Sequence, residues 1–274
     1  MNVEVIAEIG SNHNGSLERA FELIRQADMA GVDTVKFQLF TADELWDKED
    51  PRHATTQTVA LPKEWLPELK EYTESFGMEF LCTPFSPRGV DVLENLGVKR
   101  YKISSGDLTY KALLSAVRET ERPVLLSVGF STKAERIWAI QRLRYDDAES
   151  PITLLHCTGG YPTEITDANL GNIITLSDEF PDLPIGLSSH WKEWWLDISM
   201  IHLISVVEKH FDLDDGNGVE AAHSLTTTEM GFFTSAVLDA VSAFDSTPGF
   251  SEPDLYARKN YRRNPVDNLR PRHR

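Results

Sequence analysis

The chain is expected to fold as a single (β/α)8 TIM barrel, an α/β architecture, and three observations predict it. Eight short apolar runs, rich in β-branched residues and not cleanly alternating, recur along the sequence, as strands buried on both faces do. Each run gives way to a stretch with helical spacing of apolar residues. The length of 274 residues suits one such barrel, for which about 250 residues is typical.

The expected strands are Val3–Ile9, Thr34–Leu39, Met78–Cys82, Arg100–Ile103, Val124–Val128, Ile152–Leu155, Ile185–Leu187 and Ile204–Val207. The first helix is expected over Ser16–Ala30, with Ser16 as its cap, Glu18 in its first turn and Leu17, Ala20, Phe21, Leu23, Ile24 and Ala27 on one face,. Pro62–Phe76 follows the longest internal connection, Phe40–Leu61, and Pro87–Leu96, Leu108–Thr120, Thr132–Tyr145, Thr166–Glu179, Trp191–His202 and Thr227–Phe244 complete the set. Gly31, Gly77 and Gly97 stand just past helix ends, where C-terminal caps belong,. No repeat or linker divides residues 1–250. The segment 251–274 changes character, with seven Lys or Arg against three acids. It is expected as a basic tail that lies on the barrel or reaches a partner subunit.

Composition narrows the function classes. A net charge of −16 argues against nucleic-acid binding, and an anionic substrate would need a local cationic pocket. No run approaches the roughly 18 apolar residues of a membrane span, and no leader pattern opens the sequence. Cys82 and Cys157 fit no metal spacing and read as reduced core residues, which points to the cytoplasm.

In a parallel barrel the C-terminal strand ends converge on one mouth, where active sites lie. Glu8 ends the first strand before a polar, glycine-containing turn. Its plain alternative is a structural ion pair with a lysine of the second strand. Lys36 and Gln38, two residues apart, point the same way,. With Lys102 they suit a substrate carrying separated negative groups, and Thr83, Ser105, Ser127 and Ser188 add hydroxyl donors. His190 and His210 end neighbouring strands, and they are either hydrogen-bonded polar residues of the mouth or ligands of one shared divalent metal.

Together, Ala7-Glu-Ile-Gly-Ser-Asn-His-Asn-Gly15, Val35-Lys-Phe-Gln38, Thr83-Pro-Phe-Ser86, Lys102-Ile-Ser-Ser-Gly106, Ser127-Val-Gly129, Leu155-His-Cys-Thr158 with Tyr161-Pro162, Gly186-Leu-Ser188 with His190, and Glu208-Lys-His-Phe211 resemble the sialic acid synthase family. These are the phosphoenolpyruvate-dependent nonulosonic acid synthases, and the resemblance covers about residues 3–245. It implies condensation of phosphoenolpyruvate with an N-acetylated amino sugar such as N-acetylmannosamine, giving a 2-keto-3-deoxy sugar acid and phosphate. It implies one Mn²⁺ or Mg²⁺ on His190 and His210. Phosphoenolpyruvate contacts are implied at Lys36, Thr83, Lys102, Ser105, Ser127 and Ser188, and acceptor contacts at Glu8, Gln38 and Tyr161. A homodimer is compatible with it. Glu8, Lys36 and Lys102 are the implied catalytic groups.

The sequence departs from the family pattern in four places. No small C-terminal antifreeze-like domain follows residue 250. Gly159-Gly160 replace a more polar pair. Gly218-Val-Glu-Ala221 stands for Gly-Pro-Asp-His, so Glu220 keeps a substrate-binding carboxylate one methylene longer, and His223 follows three positions later. Trp191, Trp194 and Trp195 crowd beside His190, as packing or interface residues or as a sugar-stacking platform. These changes touch the acceptor side more than the phosphoenolpyruvate side. The competing readings are the same chemistry on a legionaminic- or pseudaminic-type sugar, a Schiff-base aldolase using Lys36, Lys102 or Lys209, and a catalytically silent sugar-binding barrel.

Overall fold

A computed structural model describes residues 2–143, 151–244 and 249–263. Eight parallel strands form one sheet: β1 (Glu4–Gly10), β2 (Thr34–Leu39), β3 (Glu79–Pro84), β4 (Tyr101–Ile103), β5 (Val124–Ser127), β6 (Ile152–Cys157), β7 (Ile185–Ser189) and β8 (Val206–His210). The hydrogen-bonded order is β3-β2-β1-β8-β7-β6-β5-β4. β3 and β4 lie side by side and bring the sheet round to a nearly closed barrel. All eight expected strands are present within a few residues of their expected bounds. The fold is the (β/α)8 barrel that the apolar runs predict.

The outer layer is built by local rules. Helix α1 (Leu17–Met29) is capped by Ser16, whose hydroxyl accepts from the Arg19 N–H, and buries Ala20, Leu23, Ile24 and Ala27. Gly31, Gly77 and Gly97 all take positive φ, 76°, 83° and 74°, the conformation that ends a helix at little steric cost. The long connection after β2 contains two helices, α2 (Ala42–Leu45) and α3 (Pro51–Val59). Its signals are a Thr41–Glu44 capping box and Asp50 before Pro51,. Helices α4 (Leu66–Ser75), α5 (Pro87–Leu96), α6 (Lys111–Glu119), α7 (Lys133–Leu143) and α8 (Gly171–Glu179) fill the intermediate crossovers. Tyr145, the expected end of the helix observed as α7, lies outside the described residues.

The connection from β7 to β8 corrects the sequence expectation. Trp191–His202 is not one helix. It is a single turn, α9 (Trp195–Ile198), followed by a short 3-10 turn at Ile201–Leu203. Tertiary bonds take over there. Asp197 is fully buried and faces Lys209 at 3.1 Å, while Lys209 Nζ also donates to the Trp191 carbonyl at 2.5 Å. Trp191 is buried, Trp194 packs on Phe233, and Trp195 is exposed. Helix α10 (Thr227–Phe244) closes the ring. The tail begins as α11 (Glu252–Asn260), capped by Ser251 and burying no residue, and positions 264–274 lie outside the described residues. Among the described residues no helix is long and apolar enough to cross a membrane.

Three layers fill the barrel. At the N-terminal end, Arg100 bonds Glu4 at 2.8 Å and Glu79 at 2.9 Å, and Thr34 donates to Glu4 at 2.6 Å. In the middle, Ile6, Leu81, Leu125, Leu155 and Val206 form a separate apolar cluster. Gly186 serves that layer, because a Cβ there would stand 2.5 Å from both Leu155 and Val206 side chains. Two residues further along most strands, side chains on the same face become polar. That change of layer is the floor of the site.

Candidate active site

The upper layer holds a buried four-charge network. Lys36 Nζ lies 2.6 Å from Glu8 and 3.6 Å from Glu208. Lys102 Nζ donates to both oxygens of Glu208, at 3.0 and 3.1 Å. Thr83 accepts from Lys36 at 3.3 Å, Ser188 donates to Glu208 at 2.9 Å, and Gln38 donates to Glu8. All four charged groups are at most 4 % exposed. Two ammonium and two carboxylate groups balance, which is how charges persist without water.

The charge states follow from these contacts. Burial opposes ionisation of Glu208, but Lys102 and Lys36 outweigh it and hold the carboxyl well below its usual range. Burial also opposes the Lys36 charge, yet Glu208 and Glu8 lift it above the ordinary lysine value. For Lys102 burial prevails over Glu208, and its value falls.

Glu208 is the residue that sequence reasoning left without a role. It stands in a quoted motif, two positions before His210, so strand periodicity placed it on the mouth-facing side. Only the closing of the barrel shows that it joins two lysines from β2 and β4. Glu8 also takes the plain alternative reading: it is ion-paired with the lysine of the second strand. Of the hydroxyls, Ser127 is buried with no hydrogen-bond partner, while Ser105 accepts from the Gly129 N–H at 3.0 Å and ties the β4 and β5 loops together.

Beside this network lies a histidine corner. The rings of His190 and His210 are 5.2 Å apart, His210 and His223 4.5 Å, and Tyr161 lies over His190 at 4.0 Å. His190 Nδ1 bonds the Thr158 carbonyl at 2.9 Å, and His210 Nδ1 bonds Glu220 at 3.0 Å. Burial pushes His190 well below the usual histidine range and His223 down to about 4. Burial raises the Glu220 carboxyl, but His210 and His223 carry it below its ordinary value. His210, Glu220 and His223 place one ligand atom each within 4.8 Å of one another, the one such group among the described residues. Two imidazoles and a carboxylate suit a divalent metal.

The loop carrying Glu220 and His223 is held by the first strand's own turn. Asn12, fully buried, donates to the Phe211 carbonyl at 2.8 Å and to Ser224 at 2.9 Å, and accepts from the Glu220 N–H at 2.8 Å. Arg19 bonds Asp212 at 2.6 Å and Asp215 at 2.8 Å. Gly10 has φ +52°, and a Cβ there would meet a Glu220 oxygen at 2.2 Å. The turn after β1 therefore shapes the site. A cavity of 640 Å³ beside the mouth, lined by Leu39, His53, Leu61 and Arg88 among others, lies between α2–α3 and α5 and shares none of the charged network.

The chain as a whole is similar to known proteins. A family described as the NeuB family matches residues 23–247. An uncharacterised protein of Methanocaldococcus jannaschii is 38% identical over 211 residues, covering 77% of this chain and 62% of that protein. The N,N'-diacetyllegionaminic acid synthase of Legionella pneumophila is 35% identical over 265 residues, covering 90% of this chain and 74% of its own. The chain thus spans between about three fifths and three quarters of these relatives' length. Among solved structures, an N-acetylneuraminic acid (sialic acid) synthetase of Leptospira borgpetersenii, in complex with citrate, superimposes with a TM-score of 0.87 at 27% identity, covering 96% of this chain and 94% of that one. With the family match running from residue 23 to residue 247, through most of the barrel, the chain belongs to the NeuB family of sialic acid synthases.

Proposed function

We propose that this barrel is a nonulosonic acid synthase that condenses phosphoenolpyruvate with an N-acetylated amino sugar, releasing phosphate and a 2-keto-3-deoxy sugar acid. The observation that carries this reading is the pair of buried lysines, Lys36 and Lys102, at the mouth among hydroxyls, one of which, Ser127, has no partner. Relatives named as legionaminic and sialic acid synthases support it.

In this mechanism Lys36 and Lys102 neutralise the substrate's phosphate and carboxylate as preorganised charges, with Thr83, Ser105, Ser127 and Ser188 supplying hydroxyl contacts. Carbon 3 of phosphoenolpyruvate forms a bond to the carbonyl carbon of the open-chain sugar. Water adds at carbon 2, and the C–O bond to phosphate breaks as the keto group forms. Glu8, fixed between Lys36 and Gln38, is the carboxylate that serves the acceptor and the added water. Tyr161 and Gln38 line the acceptor side. One Mn²⁺ or Mg²⁺ at the histidine corner, on His190 and His210, would supply Lewis acidity toward the sugar carbonyl.

A Schiff-base route fits the lysines less well. Lys36 is held protonated by two carboxylates, Lys102 is clamped by Glu208, and Lys209 faces Trp191 and Asp197 outside the barrel interior. The test is phosphate release from phosphoenolpyruvate with a panel of N-acetylated hexosamines, including legionaminic- and pseudaminic-type precursors, with and without chelator. Acceptor-dependent, chelator-sensitive release is expected. A protein that bound phosphoenolpyruvate and released no phosphate with any acceptor would refute the synthase reading in favour of a silent binding barrel.

A further inference from the structure

We infer that His223 is a ligand of the divalent metal in this chain, completing with His210 and Glu220 a three-ligand centre carried by the end of β8 and the loop after it. The inference rests on the metal dependence proposed above and adds to it two residues, Glu220 and His223, that lie outside the His190–His210 pair.

Three observations carry it. His223 is 7 % exposed, and its Nε2 is buried with no hydrogen-bond partner. A buried imidazole nitrogen left unpaired is costly, and a metal ion would satisfy it. The same ring belongs to the group whose ligand atoms, with those of His210 and Glu220, all fall within 4.8 Å of one another. Finally, the loop is built to hold these groups in place. The His223 N–H donates to the Glu220 carbonyl at 3.1 Å across a turn, so side chains three positions apart project to one side.

The surrounding chain fixes that turn from both ends. Its base is closed where Leu225 donates to the His210 carbonyl at 2.8 Å and Asp212 donates to the Leu225 carbonyl at 2.8 Å. Its middle is held by Asn12 through the Glu220 N–H, and by Asn14, which donates to the Asn217 carbonyl at 2.7 Å and accepts from Val219. Gly218 permits the close approach, since a Cβ there would stand 2.3 Å from the Asn12 oxygen. A loop so restrained keeps its ligand geometry before metal arrives, which is the condition for selective, tight binding. His190 approaches from β7, its ring 6.2 Å from that of His223, with Nδ1 already spent on Thr158.

The experiment uses the whole chain and Mn²⁺ as probe. The Mn²⁺ dissociation constant is measured by competition with a chelator for the parent, for His223→Gln and for His223→Cys. Thermal unfolding in chelator confirms that the metal-free variants fold like the metal-free parent. His223→Gln is expected to lose more than the roughly 10–100-fold that removal of a mere outer partner of a ligand costs. His223→Cys, loaded with Co²⁺, is expected to show a thiolate-to-metal charge-transfer band absent from the parent, which reports contact at position 223 directly. A parent-like Mn²⁺ constant in His223→Gln, or no such band in a metal-loaded His223→Cys, overturns the inference. A parent that binds no Mn²⁺ overturns it too. Failure of the synthase reading is separable: it appears as absent phosphate release from a parent whose metal binding still depends on His223.

Discussion

Replacing Glu208 by Gln is the sharpest probe of the barrel's charge network. The carboxylate accepts from Lys102 at 3.0 and 3.1 Å and from Ser188 at 2.9 Å, and stands 3.6 Å from Lys36. Lys36 would keep Glu8 at 2.6 Å, but Lys102 would lose its one ion-pair partner among the described residues. Breaking a buried pair by removing one partner costs about 3–5 kcal/mol, because the remaining charge is left uncompensated. In a chain of this length that corresponds to a melting shift of roughly 6–20 °C. Calorimetry and urea unfolding at neutral pH would measure it. The loss should be insensitive to salt, since buried pairs are little screened. Glu208→Gln combined with Lys102→Met should be less destabilised than the two single changes summed, with a coupling free energy of about 1–3 kcal/mol. Phosphoenolpyruvate should raise the melting temperature of Glu208→Gln more than that of the parent, because an anion replaces the missing charge. A Glu208→Gln chain within about 1 kcal/mol of the parent would refute the argument that the four charges depend on one another.

Other expectations concern the same layer and its surroundings. Lys36→Met and Lys102→Met should each lower kcat/KM by about 10²–10³-fold, the worth of one preorganised charge donor, in a phosphate-release assay; a loss below tenfold would count against their assigned role. Gly10→Ala forces a Cβ to 2.2 Å from Glu220 at φ +52° and should cost about 1–3 kcal/mol in strain while weakening Mn²⁺ binding, read by urea unfolding and by metal titration. His13 is held neutral, with burial pushing it down to about 4 against the milder pull of Glu220. The unfolded chain takes up that proton near pH 6.5 and the folded chain only near pH 4, so stability should fall as pH drops through that window, by about 3 kcal/mol from this group. Urea unfolding in chelator across pH 7 to 4 should show a shallower decline in His13→Gln, and an unchanged slope would refute the assignment.

Much of the site was legible in one dimension, and particular residues show why. Strand periodicity of two puts Lys36 with Gln38 and Glu208 with His210 on one face, and a parallel barrel sends those faces to one mouth. That reasoning places Glu8, Lys36, Lys102, Thr83, Ser127, Ser188, His190 and His210 at the mouth. It gave Glu208 no role, because a glutamate in a strand has no partner until the strand four crossovers earlier lies across from it. It read Trp191–His202 as helical from composition, whereas buried bonds from Asp197 to Ser189 and Lys209 hold most of that stretch in turns. The ion layer of Glu4, Glu79 and Arg100 below the apolar cluster is equally hidden, since its members come from β1, β3 and the residue just before β4.

The amino-acid sequence by itself determined the architecture and the family, because both rest on local signals: apolar runs, caps, glycines after helices, and strand-end motifs in order. Tertiary structure alone decided which charges neutralise one another and which groups are left unpaired. It joined Lys36 and Lys102 through Glu208, clamped the loop after β8 on Asn12, and brought Glu220 and His223 to His210. Those outcomes depend on distances between residues as far as 212 positions apart. Periodicity fixes the face of an element on which a side chain lies, and only the closing of the barrel sets what that side chain meets.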